Sequence, residues 1–251
     1  CKGNALRHAA RDLVRVVLSG VGQADGVKVV CGAGARLGPA HRGHQGVGFG
    51  DLIANAHGGV EGQPGLLGQQ PDLAAADALS RFRRDHGPVV LLSNAPRPLE
   101  DMEVQFRHIG VPLDCYDAIM TSGMAAREEL ARRAETRRLA MLHIGPERDR
   151  GVFAGLDIEC VDADRAEIVL CTGLWDDDRE TPADYTNLLA ALVARGLTML
   201  CANPDIVVQR GGVLVYCAGA IARAYEELGG RAVYYGKPHR PVYDAALAHA
   251  A

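Results

Sequence analysis

From residue 73 onward the apolar positions follow two alternating rhythms. Segments 73–87, 99–110, 125–138, 180–196, 216–230 and 237–250 place apolar residues every three or four positions, the spacing of amphipathic helices. Between them lie short, nearly continuous apolar runs at 88–94, 117–123, 139–145, 167–173, 197–205 and 231–236, which read as buried strands. Punctuation agrees with this reading. Gly87 sits where the first of these helices should stop, and Thr181, Pro182 and Asp184 form a helix start of N-cap, first-turn proline and acid. Regular alternation of apolar strands and helices predicts a mostly parallel sheet covered by helices. Upstream the rhythm is poor. Residues 4–19 read as a helix and 27–31 as a short strand. Residues 20–70, however, hold half of the chain's 30 glycines and offer little apolar surface to offset the entropy of ordering them.

The 251 residues suffice for one large domain or two modest ones. A net charge of -4 gives no electrostatic case for nucleic acid or an anionic membrane, and no apolar run approaches the length of a bilayer span. The seven cysteines form no CxxC pair, and most sit in apolar runs as small hydrophobes, so a reducing, cytoplasmic setting is expected. No secretory leader pattern opens the chain. A homo-oligomer is compatible with all of this.

Chemistry is concentrated where strands end. In parallel sheets ligands bind beyond the carboxyl ends of strands. LLSNAPRP (91–98) closes one apolar run on Ser93 and Asn94; the pair suits an ordinary turn, and equally a small anion cradle of hydroxyl and amides. GKP (236–238) closes another on Lys237, with Pro238 expected in the first turn of the following helix, where a cation opposes the macrodipole unless it neutralises an anion. NPD (203–205) closes a third, an Asn-Pro turn by itself. WDDD (175–178) precedes a capped helix and reads as a solvated loop. Gly32, Gly34 and Gly38 imitate a dinucleotide loop, with Asp51 near the position of a ribose-binding acid, but glycines and Pro39 stand where the required helix should run. His41, His44 and His57 lack metal-site partners at suitable spacing.

Taken in order, LLSNAPRP, TSG, WDDDRETPADY, CANPD, VYCAGA and GKPHRPVYDAAL resemble the haloacid dehalogenase superfamily, and within it subclass IIA, the NagD-like and p-nitrophenyl-phosphatase-like hydrolases. The resemblance covers residues 73–251. It implies a Rossmann-like parallel-sheet core with an inserted α/β cap: an irregular glycine-rich region over 1–70, core over 71–134, cap over 135–230 and a core return over 231–251. It also implies hydrolysis of a small phosphate monoester, a small phosphorylated metabolite, through an aspartyl-phosphate with Mg2+. Covalent attack divides one hard displacement into two, and Lys with Mg2+ offsets charge on the transferring group. By the same resemblance Ser93, with Asn94 beside it, binds phosphoryl oxygens, Lys237 stabilises charge, and Asn203 and Asp205 edge the substrate pocket.

Two motifs of that family are missing from the sequence. The stretch 51–62, aligned on its apolar run and Gly58, places Asn55 where the nucleophilic Asp should stand, and an amide cannot form an acyl phosphate. The Mg2+ carboxylates would follow the last helix, beyond Ala251, and the chain opens on Cys1 rather than Met, so a fragment with impaired activity is expected. Residues 20–70 then read either as an eroded first motif or as a foreign or out-of-frame segment. The rival function is a non-catalytic phospho-ligand-binding or interaction module; a weaker one is a dinucleotide-dependent oxidoreductase.

Overall fold

A computed structural model describes residues 13–18, 27–32, 73–108, 111–210 and 213–249, with side chains from residue 76 onward. Strands β1 (Leu13–Leu18), β2 (Val27–Gly32), β3 (Val89–Ser93) and β4 (Ala118–Thr121) form one sheet in that order. β2 is antiparallel to both β1 and β3, whereas β3 and β4 run parallel with Ser93 beside Thr121. The helix expected over 4–19 is therefore not formed at Leu13–Leu18. Val14, Val16 and Val17 are β-branched, lose side-chain freedom in a helix and fit a pleated surface. The strand expected at 27–31 is present as β2. Its antiparallel pairing is not the start of a parallel βαβ unit, as a dinucleotide loop requires, and Gly34, Gly38 and Asp51 lie outside the described residues.

The second sheet is wholly parallel and contains five strands in the order β11–β8–β7–β5–β6. They are β5 (Leu139–Ile144), β6 (Ile158–Cys160), β7 (Ile168–Cys171), β8 (Thr198–Cys201) and β11 (Arg231–Tyr234). β11, expected in the core return over 231–251, thus pairs with β8 of the segment 135–230. A separate antiparallel hairpin joins β9 (Val207–Arg210) to β10 (Val213–Tyr216). The hairpin and β6 escape the periodicity reading: β6 is three residues long at a sheet edge, and the pattern of the hairpin merges with that of its neighbours. Its signal is present in the sequence, since two β-branched-rich runs flank a Gly-Gly pair, a composition that favours a hairpin.

Among the described residues, six α-helices accompany these strands: α1 (Leu73–Asp85), α2 (Leu99–His108), α3 (Ser122–Ala134), α4 (Thr186–Ala194), α5 (Ala218–Glu227) and α6 (Arg240–His249). Their starts reward the capping signals. Thr121 caps α3 by accepting from the Met124 N–H at 2.9 Å. Thr181 stands at the N-cap position as expected and forms a capping box with Asp184, although the element it opens is a 3-10 turn (Pro182–Tyr185) that precedes α4. α6 begins later than expected. Residues 236–239 form a turn, so Lys237 and Pro238 precede the helix rather than opening it.

Three apolar clusters define the layers. α1 and α2 pack with Val89, Leu91 and Ile119 on one face of β3 and β4. Val90, Leu92 and Met120 on the other face share a cluster with α3, with Val242 and Ala246 of α6, and with Met141, Leu170 and Leu200 of the five-stranded sheet. The far face of that sheet carries α4 and α5. The strand patterns follow from this sandwiching: all five residues of β3 and all four of β7 are buried, which requires unbroken apolar runs rather than alternation.

Candidate active site

The carboxyl ends of three strands from two different sheets meet at one point. β3 ends in Ser93–Asn94, the chain after β8 turns through Asn203–Pro204–Asp205, and the chain after β11 turns through Gly236–Lys237–Pro238. Asn94 ties them together. Its Nδ2 donates to Asp205 Oδ1 at 2.9 Å and to the Lys237 carbonyl at 3.2 Å, while its Oδ1 accepts from the Lys237 N–H at 2.7 Å. The amide thus spends both donors and an acceptor on joining the turns, which makes Asn94 a bridge. Such close approach needs a small residue at 236: a Cβ there would lie 2.4 Å from Pro204 Cδ and 2.6 Å from Asn94 Oδ1.

Around this knot the polar groups are buried. Ser93 is fully buried, and its Oγ accepts from the Ala95 N–H at 3.1 Å, closing a turn that leaves the hydroxyl proton available to donate. Lys237 is only 7% exposed, and its Nζ donates to the Leu92 carbonyl at 3.1 Å, which sets the ammonium beside the last residues of β3. Asn203 Oδ1 accepts from the Asp205 N–H at 3.0 Å, fixing the third turn. Ser122, the first residue of α3, donates toward the Asn94 and Ala202 carbonyls and so links the two sheets under the knot. Of the residues singled out in the sequence, Ser93, Asn94, Asn203, Asp205 and Lys237 are brought together. Asn55 lies outside the described residues.

A cavity of about 350 Å³ opens next to the knot. Pro96 and Arg97 reach it from the loop after β3, Asn203 from the NPD turn, and Arg148, Asp149, Thr172 and Asp177 from loops at the ends of β5 and β7. Val208 and Val215 of the β9–β10 hairpin supply its apolar side. Sequence reasoning passed over most of this wall and read WDDD (175–178) as a solvated loop, whereas the Asp177 side chain is 8% exposed and lines the cavity. PERDR (146–150) looks like a solvated charged loop, and nothing in its spacing announces that Asp149 is 3% exposed. Burial pushes the Asp149 carboxyl up to about 6; Arg148, the Thr172 hydroxyl and Arg97 pull the other way, and Asp177 adds to the rise. Burial, helped by the charge of Arg150, lowers His143 to about 4, so its imidazole is neutral. Arg148 itself pairs with the Asp177 carboxylate.

The comparisons with known proteins agree with this geometry. Residues 66–159 match the family model described as haloacid dehalogenase-like hydrolase. The chain superposes on the crystal structure of a haloacid dehalogenase-like hydrolase from Brucella suis with 46% identity and a TM-score of 0.65, covering 72% of this chain and 66% of that one. A glycerol phosphate phosphatase from Mycobacterium tuberculosis, in complex with calcium, aligns at 21% identity and TM-score 0.56, over 73% of this chain and 53% of its own. A p-nitrophenyl phosphatase from Archaeoglobus fulgidus aligns at 20% identity and TM-score 0.55, over 71% and 67%. These last two likenesses concern the fold alone. The chain spans 66% of the Brucella protein and about half of the Mycobacterium one. No curated protein matches the sequence.

The chain belongs to the haloacid dehalogenase-like hydrolases, and its fold is that of the p-nitrophenyl-phosphatase-like members. The Mycobacterium enzyme has also been solved in complex with magnesium. Here, among the described residues, no group of three or more His, Cys, Asp or Glu side chains converges on a point where a metal ion could be held. The described residues by themselves therefore do not fit a divalent ion. Among them, too, no helix is long and apolar enough to cross a membrane.

Proposed function

We propose that this chain binds the phosphoryl group of a small phosphate monoester at the knot of strand ends, in the service of phosphohydrolysis. The observation that carries the reading is the buried Lys237 ammonium beside Ser93 at the carboxyl end of a parallel strand. A phosphoryl dianion at that strand end receives a cation and a hydroxyl donor held in place before it arrives. Fixed charges and donors act more strongly in a buried site than in water, because no solvent must reorganise around them. Asn94 does not need to touch the phosphate. It holds Lys237 and Asp205 at their stations, and Asn203 borders the space for the rest of the ester.

The nucleophile and metal of the family's chemistry would come from segments other than the described residues, whose own part is to bind the phosphoryl group and offset its charge. The second reading, a phospho-ligand-binding module without turnover, is favoured by Asn55 at the aligned position of the nucleophile. One set of measurements tests both. Calorimetric titration of the chain with inorganic phosphate and with vanadate should show binding, and Lys237→Met should weaken it roughly 10- to 100-fold, the value of one hydrogen bond to a charged group. No binding by the unaltered chain, or none of that loss in Lys237→Met, sinks the proposal. Release of nitrophenol from p-nitrophenyl phosphate with Mg2+ present then selects hydrolysis, and binding without release selects the non-catalytic module.

A further inference from the structure

Among the described residues the β9–β10 hairpin differs from every other strand pair in belonging to no larger sheet. Its two faces differ as well. Val208 and Val215 line the cavity. By strand alternation Val207, Leu214 and Tyr216 stand on the other face, where Leu214 is 69% exposed; Val213, at the start of β10, is 64% exposed. Tyr216, at the end of β10, also borders the cavity. A two-stranded ribbon is marginal on its own, and here such a ribbon supplies the apolar side of the candidate site.

The outer edge of β10 is built for pairing. The Cys217 N–H donates to the Ile206 carbonyl at 3.0 Å, one pair beyond the end of the β9–β10 register. Hydrogen-bonded pairs alternate along an antiparallel ladder, so residues 208 with 215 and 210 with 213 are the bonded pairs of the hairpin. The N–H and C=O groups of Leu214 and Tyr216 then point away from β9. No main-chain group elsewhere in the described residues bonds to them. Edges of this kind are commonly blunted by charge or proline, yet β10 reads VLVY.

We infer that two copies of this chain associate by pairing their β10 strands across a twofold axis at Val215, giving a continuous antiparallel sheet in the order β9–β10–β10–β9. That axis sets Leu214 of each copy opposite Tyr216 of the other in the bonded positions, so the outward N–H and C=O groups of one edge meet those of its mate. The same pairs bring an aliphatic against an aromatic side chain on the exposed face. A second copy suits this edge because the edge is its own complement, as a twofold interface requires. Charge does not oppose it: Arg210 is the only charged residue of segment 207–216, and the axis places the two copies of residue 210 at opposite corners of the sheet, about 20 Å apart and beyond a Debye length. The exposed apolar side chains of the hairpin amount to roughly 400 Å² per copy. Two such patches with their joined edges fall at the low end of specific interfaces, which sets a dimer of micromolar rather than permanent strength. Pairing also fixes the strand that carries Val215 into the cavity.

Sedimentation velocity of the full chain between about 1 and 100 μM should show the mass moving from one copy to two and stopping there. Leu214→Pro removes an N–H that points outward and leaves the ladder with β9 intact, so it should weaken association roughly tenfold or more. Leu214→Lys, which puts a charge on the edge, should do the same and serves where proline disturbs the hairpin. Val104→Lys alters a similarly exposed apolar side chain on α2 and should leave the dimer unchanged. In hydrogen exchange the Leu214 and Tyr216 amides should slow as concentration rises, whereas stacking of the outer faces alone would leave them fast. The inference is overturned if the chain stays one copy throughout, grows beyond two, or keeps its dimer in a folded Leu214 variant. It is overturned equally if Val104→Lys abolishes the dimer, or if the two amides exchange alike at both ends of the concentration range.

Discussion

The knot around Asn94 and the wall around Asp149 adjoin one cavity but are held by different means. The knot is a junction of main chain: Asn94 bonds the amide and carbonyl of Lys237, Asn203 bonds the amide of Asp205, and Gly236 brings two turns within contact distance. The wall is made of side chains from neighbouring strands β5 and β7 and the loops after them: His143 bonds Thr172, and Arg148, Asp149 and Asp177 line the cavity beside them. A junction of main chain tolerates little change in volume and sets where strands end. A wall of side chains leaves the backbone alone and sets protonation instead, because burial shifts its titratable groups. Changes to the first should therefore reduce stability and phosphate binding together, whereas changes to the second should alter the pH response.

The largest effect is expected from Gly236→Ala. The new Cβ would press on Pro204 and the Asn94 carboxamide at distances no relaxed contact allows. Overpacking of this kind costs about 1–3 kcal/mol, and since the neighbours are a proline ring and a triply bonded amide, the upper end is expected. Urea unfolding should show it, with phosphate affinity falling in parallel. A variant as stable as the parent, with unchanged affinity, would show that the knot is looser than its contacts imply. Asn94→Ala comes next. It removes the acceptor of the buried Lys237 N–H and one donor to the part-buried Asp205 carboxylate, at roughly 1–3 kcal/mol for loss of a buried hydrogen-bond partner. If Asn94 acts by positioning, phosphate binding weakens even though the amide makes no contact with the anion. Retention of full affinity in a folded Asn94→Ala protein would count against the bridge.

The smallest effect, and the sharpest contrast, lies in pH. Asp149 has its carboxyl raised to about 6 in the fold, so the unfolded chain releases that proton first, and the associated stability is present below about pH 4 and lost as pH rises through 6. His143 has its imidazole lowered to about 4, so the unfolded chain takes up that proton first, and stability falls as pH drops from about 6.5 to 4. In the parent these trends oppose each other over the same window. Asp149→Asn should gain melting temperature relative to the parent as pH rises from 4 to 6. His143→Gln should gain relative to the parent as pH falls across that range. Melting curves at four pH values suffice, and parallel differences would show that the two groups do not share one buried wall.

Much of the fold could be read because most of its strands are buried on both faces. β3, β7 and β8 appear as unbroken apolar runs, and the glycines and capping residues between them mark helix ends with little ambiguity. Reading failed where length or context outweighed pattern. Leu13–Leu18 follows a helix-like stretch but carries three valines, and pairing with β2 decided its form. β6 is too short to show a period. Pro238 reads as a helix opener, yet the chain turns once more before α6 because Lys237 is anchored to Asn94. In the site, the strand-end motifs could be found because ligand chemistry gathers at parallel strand ends and uses recognisable small and polar residues. Asp149 could not, because a buried carboxylate and a solvated one look alike in sequence.

The sequence by itself determined the alternation of strands and helices, the positions of Ser93, Asn203, Asp205 and Lys237 at strand ends, and the resemblance those motifs carry. These are local properties, set by side-chain period, turn chemistry and the order of short motifs. Only the tertiary structure decided that ends from two sheets meet through Asn94, that Gly236 makes room for the meeting, and that Asp149 is desolvated at the cavity wall. Contacts across 143 and 111 residues are not written into any local pattern. They arise when packing α3 and α6 against both sheets fixes which strand ends face one another, and with that which polar groups lose their water.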